Sequence, residues 1–259
     1  IRLMAHQAEA LELAGEKRVL IEAPTGGGKT WTGAAPLIDG LDRGEGAVFV
    51  YPTNALADDQ AESLLDLVRR AGRPAAEVQK DGTLTGDAAP EVMIWRVNAG
   101  TLEDARKNVG GQRRGHTFAR MLERLPNRPL WLVTNPDTLF LLSIARYAGS
   151  AAIWSRLDGC KTLLLDEFHL YRGPTLVRAL ALLELGRELI GLDRTRVLSA
   201  TLPESLRALL VERFGFVRVS ASAAAEGRTV QDRVTLSVVA GDPRERTDTM
   251  ADRVVSQIE

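Results

Sequence analysis

The sequence predicts an α/β fold: a mostly parallel sheet with helices on both faces. Short apolar, β-branched runs alternate with longer stretches of helical period, as in strands joined by crossover helices. The first run, RVLIEA around Val19, leads into a glycine cluster and then a helix-forming stretch, APTGGGKTWTGAA. At 259 residues the chain is long enough for one large domain with a sizeable core and a remnant of a second.

Taken in order, the predicted strands are RVLIEA near Val19, AVFVYP near Phe49, VMIW near Ile94, PLWLVT near Leu132, KTLLLDE near Leu164 and RVLSAT near Val197. Helices are expected to start near Lys29, Asn54, Asn135, Pro174 and Pro203. A short strand, FVRVS, is expected over Phe216 to Ser220. Residues 1–220 then form the first domain, the small, polar run at 221–232 a linker, and 233–259 the first β-α step of a second domain. The chain opens on Ile1 and stops inside the amphipathic run RERTDTMADRVVSQIE, so a longer parent protein is expected.

With 33 basic and 34 acidic residues the net charge is −1, so any basic face must be local. One candidate is the insert ARKNVGGQRRGHTFARMLERLPNR, which carries Arg106, Lys107, Arg113, Arg114, Arg120, Arg124 and Arg128 against only Glu123. It reads equally as a solvated loop and helix or as an element that contacts phosphates or docks a partner. The lone Cys160 excludes an intramolecular disulfide, fits a reducing cytosol and is expected to be buried. No apolar run approaches the ~20 residues of a membrane span, so a cytoplasmic protein without a membrane partner is expected. His6, His116 and His169 show no metal-ligand spacing, and no nuclease metal centre is expected.

A strand running into APTGGGKT and then a helix is the context of a phosphate loop. Glycines let backbone N–H groups approach phosphate oxygens, and the helix N-terminus adds its positive dipole end. Lys29 is placed to reach the β- and γ-phosphates and Thr30 to ligate Mg²⁺, so ATP and Mg²⁺ are the expected cofactors. The loop is a variant, with Ala23 where the strict pattern has glycine.

APTGGGKT resembles the first motif of superfamily 2 helicases and translocases. The other motifs of that family's first RecA-like domain follow in order: PTNALADDQ from Pro52, TNPDTL from Thr134, DEFH from Asp166 and SAT from Ser199. The resemblance covers Arg2 to about Ser220. It implies a RecA-like P-loop domain in which Gln7 recognises adenine, while Pro24, Thr25, Gly26, Gly27, Gly28, Lys29 and Thr30 hold the nucleotide. Asp166 then holds Mg²⁺ with Thr30, and Glu167 orients and deprotonates the attacking water. The same resemblance makes His169, Ser199 and Thr201 coupling residues, with Thr53, Asn54, Thr134 and Asn135 along a nucleic-acid track.

Several of these residues also read as helix caps. Asn54 and Asn135 are expected as N-caps, with Pro136 at the first helical position, and Thr201 with Glu204 has capping-box spacing. A cap exposed at a strand end also offers donors to a passing phosphate.

Within the superfamily, DEFH argues against the branch whose motif reads DEAD. The opening RLMAHQAEALE, the loop IEAPTGGGKT and the extended DEFHLY resemble the CRISPR-associated helicase of type I interference systems, most of all its subtype I-D form. That resemblance implies ATP-driven reeling of single-stranded DNA, recruitment by an RNA-guided surveillance complex and a nuclease on a separate subunit. A DNA-repair or general DExH translocase and an ATP-dependent assembly switch without strand separation remain open alternatives. The family completes its site with an arginine finger from a second RecA-like domain, so residues 1–259 alone are expected to be a nearly silent ATPase.

Overall fold

A computed structural model of the chain describes residues 4–111, 113–145 and 157–221. The expected β-α step at 233–259, and the expected linker from 222 onward, lie outside the described residues.

Among the described residues, nine strands form one sheet: β1 (Arg18–Glu22), β2 (Gly46–Val50), β3 (Ala75–Val78), β4 (Leu84–Gly86), β5 (Val92–Arg96), β6 (Leu130–Thr134), β7 (Cys160–Leu165), β8 (Arg194–Ser199) and β9 (Val217–Ser220). Their spatial order is β4-β3-β5-β6-β2-β7-β8-β1-β9. Every neighbouring pair is parallel except β3 with β4. Each apolar run predicted to be a strand is one. The hairpin β3–β4 is an addition to the expected set, although Asp81-Gly82 marks its turn: Gly82 sits at φ +86° and Gln79 N donates to Thr83 O at 2.9 Å. Its strands are four and three residues long, too short for a period to show.

The helices are α1 (Ala5–Glu12), α2 (Lys29–Leu41), α3 (Asn54–Arg70), α4 (Ala99–Val109), α5 (Arg114–Arg124), α6 (Pro136–Ala145), α7 (Gly173–Ile190) and α8 (Glu204–Ala208). They cover both faces because strand residues alternate. Leu20, Val48, Val50, Leu163 and Leu165 face the side covered by α4 to α7. Val19, Ile21, Ala47, Phe49 and Leu164 face α1, α2 and α3. The insert is therefore no loose loop. Helices α4 and α5 bury Leu102, Val109, Phe118, Met121 and Leu122, and Phe118 stacks on Trp95 at 4.9 Å. Cys160 is buried as expected. Among the described residues, no helix is long and apolar enough to cross a membrane.

The strand order positions the chemistry. Strands β7 and β8 lie between β1 and β2, so the segments leaving β1, β7 and β8 are neighbours at the carboxyl edge of the sheet. On the other side of β7, the ends of β2 and β6 are neighbours too. In open parallel sheets this edge is where ligands bind.

Candidate nucleotide site and nucleic-acid edge

The phosphate loop leaves β1 at Ala23, whose N–H donates to Ser199 O at 3.1 Å and so ties the loop to the end of β8. Gly26 and Gly28 adopt φ +80° and +70°, the left-handed region that favours glycine. Gly27 N donates back to Pro24 O at 3.0 Å, closing the turn, and Lys29 opens α2. Lys29 is buried; its Nζ donates to Pro24 O at 3.3 Å and lies 3.8 Å from Glu167 Oε1. Thr30 Oγ1 donates to Asp166 Oδ2 at 2.7 Å, across 136 positions of sequence.

Asp166 and Glu167 follow β7. Asp166 is 2% exposed, and burial pushes its carboxyl up to about 6 against the opposing bonds from Thr30 and from Glu167 N–H. The Glu167 backbone sits at φ +48°, the one positive φ outside glycine among the described residues. Such a conformation costs of order 1–2 kcal/mol. Two bonds hold it: Glu167 N donates to Asp166 Oδ1 at 2.7 Å, and Leu170 N donates to Glu167 O at 2.8 Å. Among the described residues Glu167 Oε2 is buried without a hydrogen bond, and His169 Nδ1 lies 3.3 Å away. The same Nδ1 is 3.4 Å from Ser199 Oγ. His169 thus stands between the end of β7 and the end of β8. Ser199 Oγ donates to the Thr201 backbone oxygen at 3.2 Å, while Thr201 itself is exposed.

From the opposite side, α1 lays two residues on the loop. His6 is buried with Nε2 3.0 Å from Gly27 O. Gln7 is buried too; its Oε1 accepts from Met4 N at 2.9 Å, and its Nε2 lies 2.8 Å from where a Gly28 Cβ would stand. The sequence motif singles out Gln7 and passes over His6. The adjacent position is the only signal for it that the sequence offers.

Thr30 Oγ1 and the Asp166 carboxylate are hard oxygen donors already in contact, and a buried acid held up in its titration gains from a nearby cation. The pair fits Mg²⁺.

The caps differ from the expectation at two helices. At α3 the N-cap is Thr53, whose Oγ1 accepts from Leu56 N at 3.2 Å, so Asn54 is the first helical residue. The short α8 begins at Glu204 with Pro203 as its N-cap, so the Thr201 capping box does not form, and Glu204 pairs with Arg207 instead. At α6, Asn135 behaves as expected: its Oδ1 accepts from Thr138 N at 2.8 Å, and Pro136 is the first helical residue. Asn135 Nδ2 donates to Asn54 Oδ1 at 2.7 Å, bridging the ends of β2 and β6. Thr134 is turned inward: it is buried and its Oγ1 donates to Val97 O at 2.6 Å. As placed, its hydroxyl is not presented to a strand at the surface, whereas Thr53 and Asn54 are exposed there and Asn135 partly so.

The basic insert is less basic than its own residues imply. Arg106 pairs with Glu103 at 2.6 Å and Lys107 with Asp104 at 3.0 Å, acids that stand just upstream of the segment. Arg120 and Arg124 donate to the backbone oxygens of Val109 and Asp81. Arg113, Arg114 and Arg128 are exposed and form no ion pair among the described residues. A second buried carboxylate carries no sequence motif. Glu22, at the end of β1, accepts from Arg207 at 3.0 Å and also from Arg218, partners more than 180 positions away.

Residues 4–97 match the profile of the DEAD/DEAH box helicase family. The chain is 26% identical over 175 residues to the uncharacterized ATP-dependent helicase YprA of Bacillus subtilis strain 168, a match covering 66% of this chain and 18% of that protein. The chain therefore spans less than a fifth of this curated relative. Among solved structures, the DUF1998 helicase MrfA bound to DNA and AMPPNP aligns with a TM-score of 0.55 at 18% identity, covering 85% of this chain and 27% of that one. The Pyrococcus furiosus Hef helicase domain aligns at 0.54 and 16% identity, covering 84% and 37%. A DEAD box protein from Methanococcus jannaschii aligns at 0.51 and 20% identity, covering 85% and 50%. These likenesses show the fold. That fold is a RecA-like sheet, and in sequence the chain is similar to DEAD/DEAH box helicases.

Proposed function

We propose that this chain is the nucleotide-binding half of an ATP-dependent nucleic-acid translocase. The observation that carries the reading is the contact between the phosphate loop and the acidic motif, with Thr30 bonded to Asp166 and Lys29 beside Glu167. Lys29 holds phosphate charge, and the backbone N–H groups of the glycine turn complete the cradle. Thr30 and Asp166 would hold Mg²⁺, which would supply charge compensation to the phosphates. Glu167 accepts the proton of the attacking water, and its Oε2, buried and lacking a hydrogen bond, is the acceptor left open for it. His169, between Glu167 and Ser199, passes the state of that site to the segment after β8.

Nucleic acid is read as lying along Thr53, Asn54 and Asn135, a row of polar residues at helix starts on the same sheet edge that contacts phosphate and carries no base information. DNA is the favoured polymer because one structural relative is described as bound to DNA. The finer reading is a CRISPR type I interference helicase of the subtype I-D form, recruited by an RNA-guided surveillance complex and working with a separate nuclease subunit. It rests on RLMAHQAEALE, IEAPTGGGKT and DEFHLY. ATP turnover that rises on adding such a complex with its target would favour it over a DNA-repair or general DExH translocase.

The test compares residues 1–259 with the longer parent protein under one salt condition, measuring phosphate release with and without single-stranded DNA. An arginine supplied to the transition state is worth about 10³ to 10⁵ in rate. The fragment should be slower by about that factor and respond little to DNA, while the parent should be stimulated. Strong DNA-stimulated turnover by the fragment would sink the two-domain reading. A parent protein that binds ATP without DNA-stimulated turnover would favour the assembly switch.

A further inference from the structure

From the contact between α1 and the glycine turn we infer that His6 is a positioning residue for the phosphate loop, an inference that rests on the nucleotide-site reading above. His6 Nε2 is 3.0 Å from Gly27 O, across 21 residues, and the side chain is 1% exposed. A carbonyl accepts only from a protonated nitrogen, so Nε2 carries the proton in this contact.

The significance lies in which peptide is held. The bond between Gly27 and Gly28 is flanked by glycine on both sides, and Gly28 sits at φ +70°. With no Cβ on either residue, this peptide plane is free to rotate about its flanking dihedrals. Within a planar trans peptide the C=O and the following N–H point in opposite directions. Fixing Gly27 O against His6 therefore turns Gly28 N–H away from α1, toward the open side of the turn where a phosphate would sit. The neighbouring carbonyls are held from within the segment: Pro24 O accepts from Gly27 N and Lys29 Nζ, and Gly28 O from Thr32 N and Oγ1. Gly27 O is anchored by a different element. Gln7 completes the clamp, since its Nε2 fills the space beside Gly28. Helix α1 thus sets the aim of a phosphate donor through His6, separately from any contact Gln7 makes with a base.

The experiment uses the longer parent protein with a fluorescent ATP analogue, ADP and adenosine as probes, in Mg²⁺. His6→Phe keeps a ring of similar size without the donor, and His6→Gln keeps an amide donor. His6→Phe should weaken ATP and ADP binding about tenfold, the scale of one hydrogen bond, and leave adenosine binding unchanged. His6→Gln should recover binding to within about threefold of the parent. Lys29→Ala separates this inference from the reading beneath it: if it leaves nucleotide affinity unchanged, the phosphate-loop assignment itself is wrong. If Lys29→Ala weakens binding while a folded His6→Phe binds as the parent does, only the His6 inference fails. It also fails if His6→Gln and His6→Phe reduce affinity equally, or if His6→Phe does not fold while His6→Gln binds no better than Lys29→Ala.

Discussion

The carboxyl ends of β1 and β7 and the insert α4–α5 are both rich in charge, yet the structure treats that charge in opposite ways. At the phosphate loop the charged groups are buried or half-buried and underused: Lys29 is 3.8 Å from Glu167, and Glu167 Oε2 has no hydrogen bond. In the insert most cations are exposed and already engaged, Arg106 and Lys107 by acids three positions back and Arg120 and Arg124 by carbonyls. A buried charge without full compensation is expensive, and the fold keeps both Lys29 and Asp166 buried at one edge of the sheet. Exposed pairs on a helix are worth a few tenths of a kcal/mol. The number of arginines in a segment therefore says less about binding than whether the fold has left them unpaired.

The sharpest way to break this contrast is to disarm the buried edge without unloading it. Glu167→Gln in the longer protein removes the proton acceptor and keeps the shape, so ATP turnover should fall about 10²- to 10⁴-fold while nucleotide affinity changes little. Turnover at the parental rate would mean that the open Oε2 has no part in the chemistry.

A smaller effect follows from the cost of burying Asp166. Its carboxyl is raised to about 6 from 3.8 by burial, so the folded state holds the proton more tightly than the unfolded chain does. That contribution to stability is fully present below about pH 4 and is lost as pH rises through about 6. Urea unfolding in a chelator should show Asp166→Asn gaining on the parent by roughly 1–3 kcal/mol between pH 4 and pH 7. A difference independent of pH would show that burial does not penalise the carboxylate.

The smallest expected effect belongs to the insert. Replacing Arg113 and Arg114 together by alanine should lower the slope of log affinity against log salt for single-stranded DNA by about 0.7 for each phosphate that is no longer neutralised. Arg106→Ala should leave the slope where it was, because Glu103 already occupies that side chain. Equal effects from both would erase the distinction between paired and unpaired cations.

Some of this is legible in the primary structure and some is not, for reasons visible at particular residues. The strands at Val19, Phe49, Leu132 and Leu164 are apolar runs buried on both faces, so their signal is local and strong. The caps at Thr53 and Pro203 differ from the expected ones by one or two positions because Thr, Asn and Pro all suit the start of a helix, and backbone geometry chooses among them. Thr134 shows a harder limit: its position at the end of β6 is readable, but the inward turn of its hydroxyl to Val97 depends on β5 being the neighbour.

By itself the sequence determined an α/β sheet, a glycine turn opening a helix, and an acidic pair ending a strand, because each of these is set by residues within a dozen positions of one another. Only the tertiary structure decided that Thr30 meets Asp166, that His169 stands between Glu167 and Ser199, that Arg207 and Arg218 converge on Glu22, and that His6 holds Gly27. Those contacts arise from the strand order, which sets β7 and β8 between β1 and β2, and from the docking of α1 on the turn. Strand order is fixed by how whole faces pack, and no local periodicity carries that information.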